Sequence, residues 1–565
     1  MKKKAWIRAL WIAVLFAGAG LRALDLGRPA DGRIREGWRE ADYAALARNF
    51  DREGMDIRAP RIDWRGDGPG LAEMEFPLVP WLTACLYRVF GPSEFLGRVV
   101  SYIFALLTLL VFSALARSLL PESGALFAAA FFALAPLSVR VSNSLQPESA
   151  MLFFYVAAAL AFRRWLASGS APWYLAALAA TAGAVLVKVP SAHIGLLFVL
   201  LILEVRGWRG LFQPSVVAFG ILALLPAAVW SLHAHRYWLL YGNSLGVSNE
   251  FHWIGWDLVA RPRLLLEALF RLVRIEAVLA AMIPGFLLAP FVLWARRREA
   301  AAKFVIFWLG AVAAYYILTI RTTGDYWASY YHVVSIPALA LAFGLAFAGA
   351  ENRLGRRNAL RAVACAAFGL GAAFVAARAL FGPLPLRPAA ATVLIIAAAA
   401  VAGGLWAFRP GPGEFHPGGW TRFVAAVSAA ALLALFPLEG AQAAKDLHPT
   451  RYAALYECAE AFRPLIAEGA LILASGGSRF DETGKRVAYN ASYFFYWLDR
   501  KGFNLPADDQ TLEGVAAFAR RGARYFILED EILKSRPGFK DELARVYPLL
   551  AERPSASLFR LDSVR

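Results

Sequence analysis

The sequence predicts an α-helical polytopic membrane protein of about thirteen transmembrane helices, closed by a small extracytoplasmic α/β domain. Three observations carry that prediction. Of 565 residues, 59% are hydrophobic and 18% charged, against about 45–50% and about 25% in soluble chains. Apolar runs near the length that crosses a bilayer, about 20 residues, recur along the chain. Arg and Lys gather in short clusters between those runs, as membrane orientation requires.

Lys2-Lys3-Lys4 precede an apolar core from Ala9 to Leu21, bracketed by Arg8 and Arg22. That core is short enough for a cleaved signal peptide. The reading adopted is an uncleaved first span, with both arginines snorkelling to the interfaces. Residues 25–93 then form a long polar segment. Spans follow at 94–117, 124–141, 147–167, 173–189, 191–206 and 214–234, and a mixed segment covers 235–275. Further spans lie near 276–295, 302–320, 332–350, 359–381, 388–408 and 420–441. The membrane body is thus 1–444, with Pro410-Gly411-Pro412-Gly413 marking a loop.

With the N-terminus cytoplasmic, the loops holding Arg163-Arg164, Arg206 and Arg209, Arg296-Arg297-Arg298 with Lys303, and Arg353 with Arg356-Arg357 and Arg361 all fall inside. The opposite turns near 142–146, 188–190 and 382–387 nearly lack such clusters. An odd number of spans places residues 445–565 outside. There, strand-like 470–474, 524–528 and 557–561 alternate with helix-like 489–501 and 511–521, which predicts an α/β domain. The formal net charge of +17 is spent on membrane orientation, which excludes nucleic acid as the partner. Three scattered cysteines, Cys85, Cys365 and Cys458, form neither a disulfide framework nor a zinc spacing.

Candidate chemistry sits in the outer segments. In Trp38–Met55, Tyr43, Leu46, Ala47 and Phe50 share one helical face, with Arg39, Asp42, Arg48, Asp51 and Arg52 beside or opposite it. The pattern suits a helix lying in the membrane interface with Glu40 and Asp42 near the headgroups; first-turn acids favoured by the helix dipole are the plainer account. Glu73 and Glu75 precede Phe76-Pro77-Leu78, as cation or sugar ligands or as a solvated loop. Glu148 opens a span after Pro147, where a carboxylate suits a helix start and an ionisable group at the membrane boundary is a functional candidate. Lys188 can neutralise a phosphate or snorkel. Arg321, Asp325, Tyr330, Tyr331 and His332 fall in another outer turn, fit for a sugar and a phosphate or for an interfacial aromatic belt. His233-Ala234-His235 is a weak metal signal, because ligands two apart splay on a helix. Asp42, Glu148, Lys188 and Arg321 come from four separate turns yet share one face.

Several of these features, in this order, resemble the GT-C glycosyltransferases, in particular glycosyltransferase family 39 with its protein O-mannosyltransferases and the lipid A aminoarabinose transferase. They are Glu40-Ala41-Asp42-Tyr43 leading into Ala47-Arg48-Asn49-Phe50, the re-entry Glu75–Leu78, Pro147-Glu148, Lys188–Pro190, and Tyr330-Tyr331-His332 before Pro337. The chain departs from relatives at Arg39-Glu40, where Asp-Glu is common, at Glu75-Phe76, where many carry a lysine before the proline, and at Glu148, often aspartate.

The resemblance implies a polyprenyl-phosphate sugar donor drawn from the bilayer, an extracytoplasmic acceptor and a bacterial inner-membrane location. It implies Asp42, or else Glu40, as base, Lys188 and Arg321 on the leaving phosphate, His332 near the donor, and inversion at the sugar carbon. A divalent metal cation between Asp42 and Glu148 is part of the same expectation. The rivals are a transporter or lipid flippase, which would favour inverted repeats and charges in mid-membrane, and a non-catalytic envelope scaffold.

Overall fold

The computed structural model describes residues 2–354 and 451–562, except 25, 32–36, 277–279, 281–283, 482 and 534–535. The expected spans at 359–381, 388–408 and 420–441, the 356–361 basic cluster, the 410–413 loop and the 444/445 boundary lie outside the described residues.

The membrane body runs as α1 (Lys2–Ala23), α2 (Gly37–Glu53), α3 (Leu78–Phe90), α4 (Glu94–Leu119), α5 (Glu122–Leu134), α6 (Pro136–Ser142), α7 (Glu148–Ser168), α8 (Ala171–Val187) and α9 (Ile194–Arg206). It continues through α10 (Pro214–Tyr241), α11 (Trp256–Val259), α12 (Pro262–Ile275), α13 (Pro284–Ala295), α14 (Ala300–Leu318), α15 (Ile320–Thr323) and α16 (Ile336–Leu354). Among the described residues six helical segments are long and apolar enough to cross a membrane: 94–119, 148–168, 189–206, 214–241, 300–318 and 326–346. Small residues let these helices approach closely. A Cβ on Gly124 of α5 would lie 2.7 Å from the carbonyl oxygen of Gly344 on α16, so the two backbones cross with no side chain between them.

The expected span 124–141 is broken at Ala135. Pro136 withdraws an N–H and biases the residue before it toward extended backbone, where Ala135 sits at φ −61°, ψ 119°. The break frees carbonyls at the end of α5, and Arg22 takes them. Its guanidinium donates to Ala133 O, to Phe132 O at 3.3 Å and to Ser138 Oγ at 2.8 Å. Arg22 therefore does not snorkel; it is buried and ties α1 to the α5–α6 corner.

Three of the expected inner loops meet at one end of the body. Lys303 pairs with Glu204, Arg206 lies 5.1 Å from the Trp165 ring, and Arg163 donates to Ser118 O at 3.1 Å. The C-terminal domain lies at the other end, on the first polar segment. Trp497 Nε1 donates to Ala30 O at 2.6 Å, Tyr496 to Glu94 at 2.8 Å, and Gly502 N to Asp63 O at 3.1 Å.

That domain holds a five-stranded sheet of β1 (Leu471–Ser475), β2 (Gly502–Leu505), β3 (Ala523–Glu529), β4 (Leu549–Arg553) and β5 (Ala556–Arg560), in the order β2-β1-β3-β5-β4. The β2-β1-β3 part is parallel, and β5 and β4 add antiparallel. The three expected strands are present. Strands β2 and β4 were not expected, and the helix expected over 489–501 spans only Tyr493–Leu498. Asp499, at φ 53°, ends it in the left-handed region.

The interfacial role expected of α2 is not what the structure gives. Twelve of its 17 residues are buried, polar ones included, because it lies between α3 and the Tyr493–Leu498 helix. The three-faced pattern of an interfacial helix appears on α12 instead. Ala268, Leu272 and Ile275 are buried, Leu266 and Phe270 are bare, and Arg263 points to solvent.

Candidate active site

The site forms where five chain segments meet under the C-terminal domain. The start of α7 supplies Glu148, which is fully buried. The break between α8 and α9, a 3-10 turn over Val189–His193, supplies Lys188 in extended backbone. The loop before α3 supplies Glu75, and a 3-10 stretch, Tyr326–Ser335, supplies Tyr330 and Tyr331. Helix α2 adds Arg39 and Tyr43.

Lys188 Nζ lies 2.9 Å from Glu148 Oε1 and 3.1 Å from Glu75 Oε1. Arg39 Nη1 donates to the same Glu148 oxygen at 2.7 Å. The Arg39 guanidinium stands 4.0 Å from the Tyr330 ring centre and 5.6 Å from that of Tyr43; Lys188 Nζ is 4.7 Å from that of Tyr331. The rings hold the cations by their π faces while excluding water. Glu148, Lys188, His193, Tyr315, Tyr330 and Tyr331 line a pocket here. Glu148 Oε2 and Ser191 Oγ, both on that lining, are buried with no hydrogen-bond partner among the described residues. Buried polar atoms are rarely left so, and these two suit a ligand's hydroxyl groups.

Asp42 projects from α2 close to Arg39 and to Ser492 of the C-terminal domain. Burial pushes its carboxyl up to about 7, against the Ser492 hydroxyl and the Arg39 charge, with nearby Asp63 adding to the rise. A carboxylate titrating near neutrality can take a proton in a reaction step.

The remaining expected residues are committed elsewhere. Glu40, on the next face of α2, pairs with Arg98 at 2.8 Å and Arg28 at 3.6 Å, and accepts Leu145 N–H at 3.2 Å. Burial pushes its carboxyl up, but the two guanidiniums outweigh that and hold it below the usual range. Glu73 is buried rather than solvated. It accepts from Ser244 Oγ at 2.8 Å and Ser248 Oγ at 3.0 Å and meets His235 Nδ1 at 2.8 Å, pinning the loop after α10 to the first polar segment. His233 meets Arg58 O, so the two histidines reach different partners. Arg321 pairs with Asp257 and, at 3.0 Å, with Asp481 of the C-terminal domain, and donates to Thr483 Oγ1 at 2.7 Å. These bonds take it away from the Lys188 pocket. His332 is buried beside the pocket's tyrosines, with Nδ1 2.6 Å from Glu276 and Nε2 2.9 Å from Thr323 O.

The donor set does not fit the divalent cation expected between Asp42 and Glu148. Among the described residues no three of His, Cys, Asp and Glu are grouped as a metal would need. Glu148 already carries two cations, which would repel a third.

Arg39 is the central residue that sequence reasoning passed over as a departure from the relatives' pattern. Its spacing from Asp42 and Tyr43, three and four residues, puts all three on one helical face, and that was the available signal. Tyr315 and His193, stacked with ring centres 4.4 Å apart, carry no such signal because each lies within or beside an apolar run.

Residues 69–233, which include Glu75, Glu148 and Lys188, match the family of dolichyl-phosphate-mannose-protein mannosyltransferases. No curated protein sequence matches the chain. Among solved structures, ArnT from Cupriavidus metallidurans bound to undecaprenyl phosphate is similar with a TM-score of 0.57 at 16% identity, over 99% of this chain and 98% of that one. Its apo state gives 0.58 over the same shares. An oligosaccharyltransferase from Archaeoglobus fulgidus tethered to an acceptor peptide gives 0.50 at 13% identity, over 94% of this chain and 70% of that one. The chain has the fold of the GT-C glycosyltransferases.

Proposed function

We propose that the chain is a membrane glycosyltransferase that moves a sugar from a polyprenyl-phosphate donor to a hydroxyl-bearing acceptor. The observation that carries this reading is the meeting of Arg39 and Lys188 with Glu148 under Tyr330 and Tyr331, at the membrane boundary and within a GT-C fold. The basic loops gathered at the far end mark the cytoplasmic side by the positive-inside rule, so the pocket and the C-terminal domain face away from the cytosol.

In this reading the donor's phosphate lies against Lys188 and Arg39, and its sugar faces Glu148 Oε2 and Ser191. Asp42 takes the proton from the acceptor hydroxyl as that oxygen attacks the anomeric carbon. The bond from that carbon to the phosphate oxygen breaks, its electron pair stays with the phosphate, and the two cations stabilise the charge. Attack opposite the leaving group inverts the sugar configuration. General-base help of this kind contributes about 10²- to 10⁴-fold.

The test is purified protein with a panel of radiolabelled polyprenyl-phosphate sugars and crude envelope acceptors. Label should transfer, and Asp42→Asn should lower the rate by about 10²-fold or more. Wild-type rates in the Asn variant would remove Asp42 from the chemistry. No transfer from any donor would overturn the reading.

A further inference from the structure

Four charges alternate around the pocket, Arg39, Glu148, Lys188 and Glu75, and the two carboxylates among them are not equivalent. Glu148 is fully buried at a helix start and carries both cations on one oxygen. Glu75 keeps 17% of its side chain exposed, sits on a loop, and reaches Lys188 with both oxygens, at 3.1 and 3.4 Å. It also accepts a long hydrogen bond from the Tyr43 hydroxyl, 3.4 Å. Glu148 is built in, whereas Glu75 is partly exposed and held by longer contacts.

Together the four charges cancel, so the cluster has no net attraction for an anion while Glu75 is in place. With Glu75 withdrawn the remaining three sum to one positive charge. A phosphodiester, which carries one negative charge, restores neutrality. A phosphate monoester, at about −1.5 to −2 near neutral pH, overshoots it.

We propose that Glu75 is an exchangeable counter-ion that selects the charge of the ligand: a singly charged polyprenyl phosphodiester displaces it from Lys188, and its return disfavours the doubly charged monophosphate left after transfer. This rests on the glycosyl-transfer reading of the pocket. Glu75 thereby acts as a specificity-determining residue, competing with the ligand at each turnover. Its competition is stronger against the monoester because like-charge repulsion scales with ligand charge.

The experiment measures binding of farnesyl phosphate and of its methyl diester to the full chain in detergent, by titration calorimetry. Glu75→Gln should tighten both ligands, the monoester by about tenfold or more and the diester by less. Lys188 keeps Glu148 as a partner in that variant, so folding should survive, and the thermal midpoint checks it. Glu75→Asp, one methylene short of Lys188, should tighten the monoester to an intermediate degree and carries the test if the Gln variant is unstable. Lys188→Gln should weaken both ligands. Unchanged or weaker monoester binding in Glu75→Gln and Glu75→Asp, with binding to the wild type measurable, would overturn the counter-ion role and leave the transferase reading standing. No binding of either ligand by wild type and variants alike would overturn both.

Discussion

Arg39 and Glu40 are neighbours in the chain, each buried and each in an ion pair, yet they belong to two different charge clusters. Glu40 is enclosed by Arg98, itself fully buried, and by Arg28 and a backbone N–H. Arg39 faces the opposite cluster, which borders a pocket; each cluster holds a buried polar atom with no hydrogen-bond partner among the described residues, Arg98 Nη2 in the first and Glu148 Oε2 in the second. One residue along a helix turns a side chain by about 100°, and here that turn separates a fastening from the candidate site. Burial, charge and an unmet hydrogen bond are common to both clusters, so what marks the second as the candidate site is the pocket beside it.

The sharpest way to break that comparison is to neutralise both residues and ask which property fails. Glu40→Gln leaves Arg98 buried with no full counter-charge, which should cost about 3–5 kcal/mol of stability. Activity per folded molecule should change little. Arg39→Gln should act the other way, with a modest loss of stability and a fall in kcat of about 10²- to 10³-fold, the usual result of removing a group that stabilises developing negative charge. Thermal melts in parallel with transfer assays read both. Two variants with the same profile would erase the distinction.

The contrast also explains what could be read from the sequence. Glu148, Lys188 and the Tyr330-Tyr331 pair were legible because each polar residue interrupts or ends an apolar run near a proline, where only one depth in the membrane is available. Glu75 was legible for the same reason, as the last acid before a re-entry. Helix α2 was not. Its polar residues run all round it, and periodicity cannot say that the C-terminal domain, some 450 residues later, covers the side that otherwise faces solvent. The same holds for Arg321, whose partner Asp481 lies in that domain, and for Arg22, whose partners are carbonyls freed by a proline more than a hundred residues away. Contacts between distant segments decide these roles, and local pattern carries no record of them.

Asp42 offers a second, smaller-scale test, through pH. Its carboxyl is raised from an ordinary 3.8 to about 7, mainly by burial. A base must be ionised to act, so transfer should rise about tenfold per pH unit below about 7 and level off above it. The folded protein holds this proton more tightly than the unfolded chain. Asp42's contribution to stability is therefore complete below its ordinary value, and is lost as pH rises through about 7. Asp42→Asn should flatten the activity limb and remove this part of the stability profile. An activity profile with no change in slope between pH 5 and 8 in the wild type would show that another group takes the proton.

The smallest effect is expected at Arg321, the fastening between the segment after α10 and the C-terminal domain. It bonds Asp481 and Thr483 in that domain, Asp257 on α11 and Trp253 O in the loop before α11. Asp257 and Asp481 are both about a quarter exposed, so water screens the pairs and their net worth is low, about 1 kcal/mol. Arg321→Ala should thus lower the melting point by only a few degrees. It should raise the rate at which protease nicks the chain near Thr483 while leaving transfer close to wild type. The fastenings at Trp497–Ala30 and Tyr496–Glu94 remain in that variant and keep the domain seated on α2. Loss of transfer as deep as in Arg39→Gln would instead place Arg321 among the groups that meet the donor phosphate, as its position beside the Tyr-Tyr-His run first suggested.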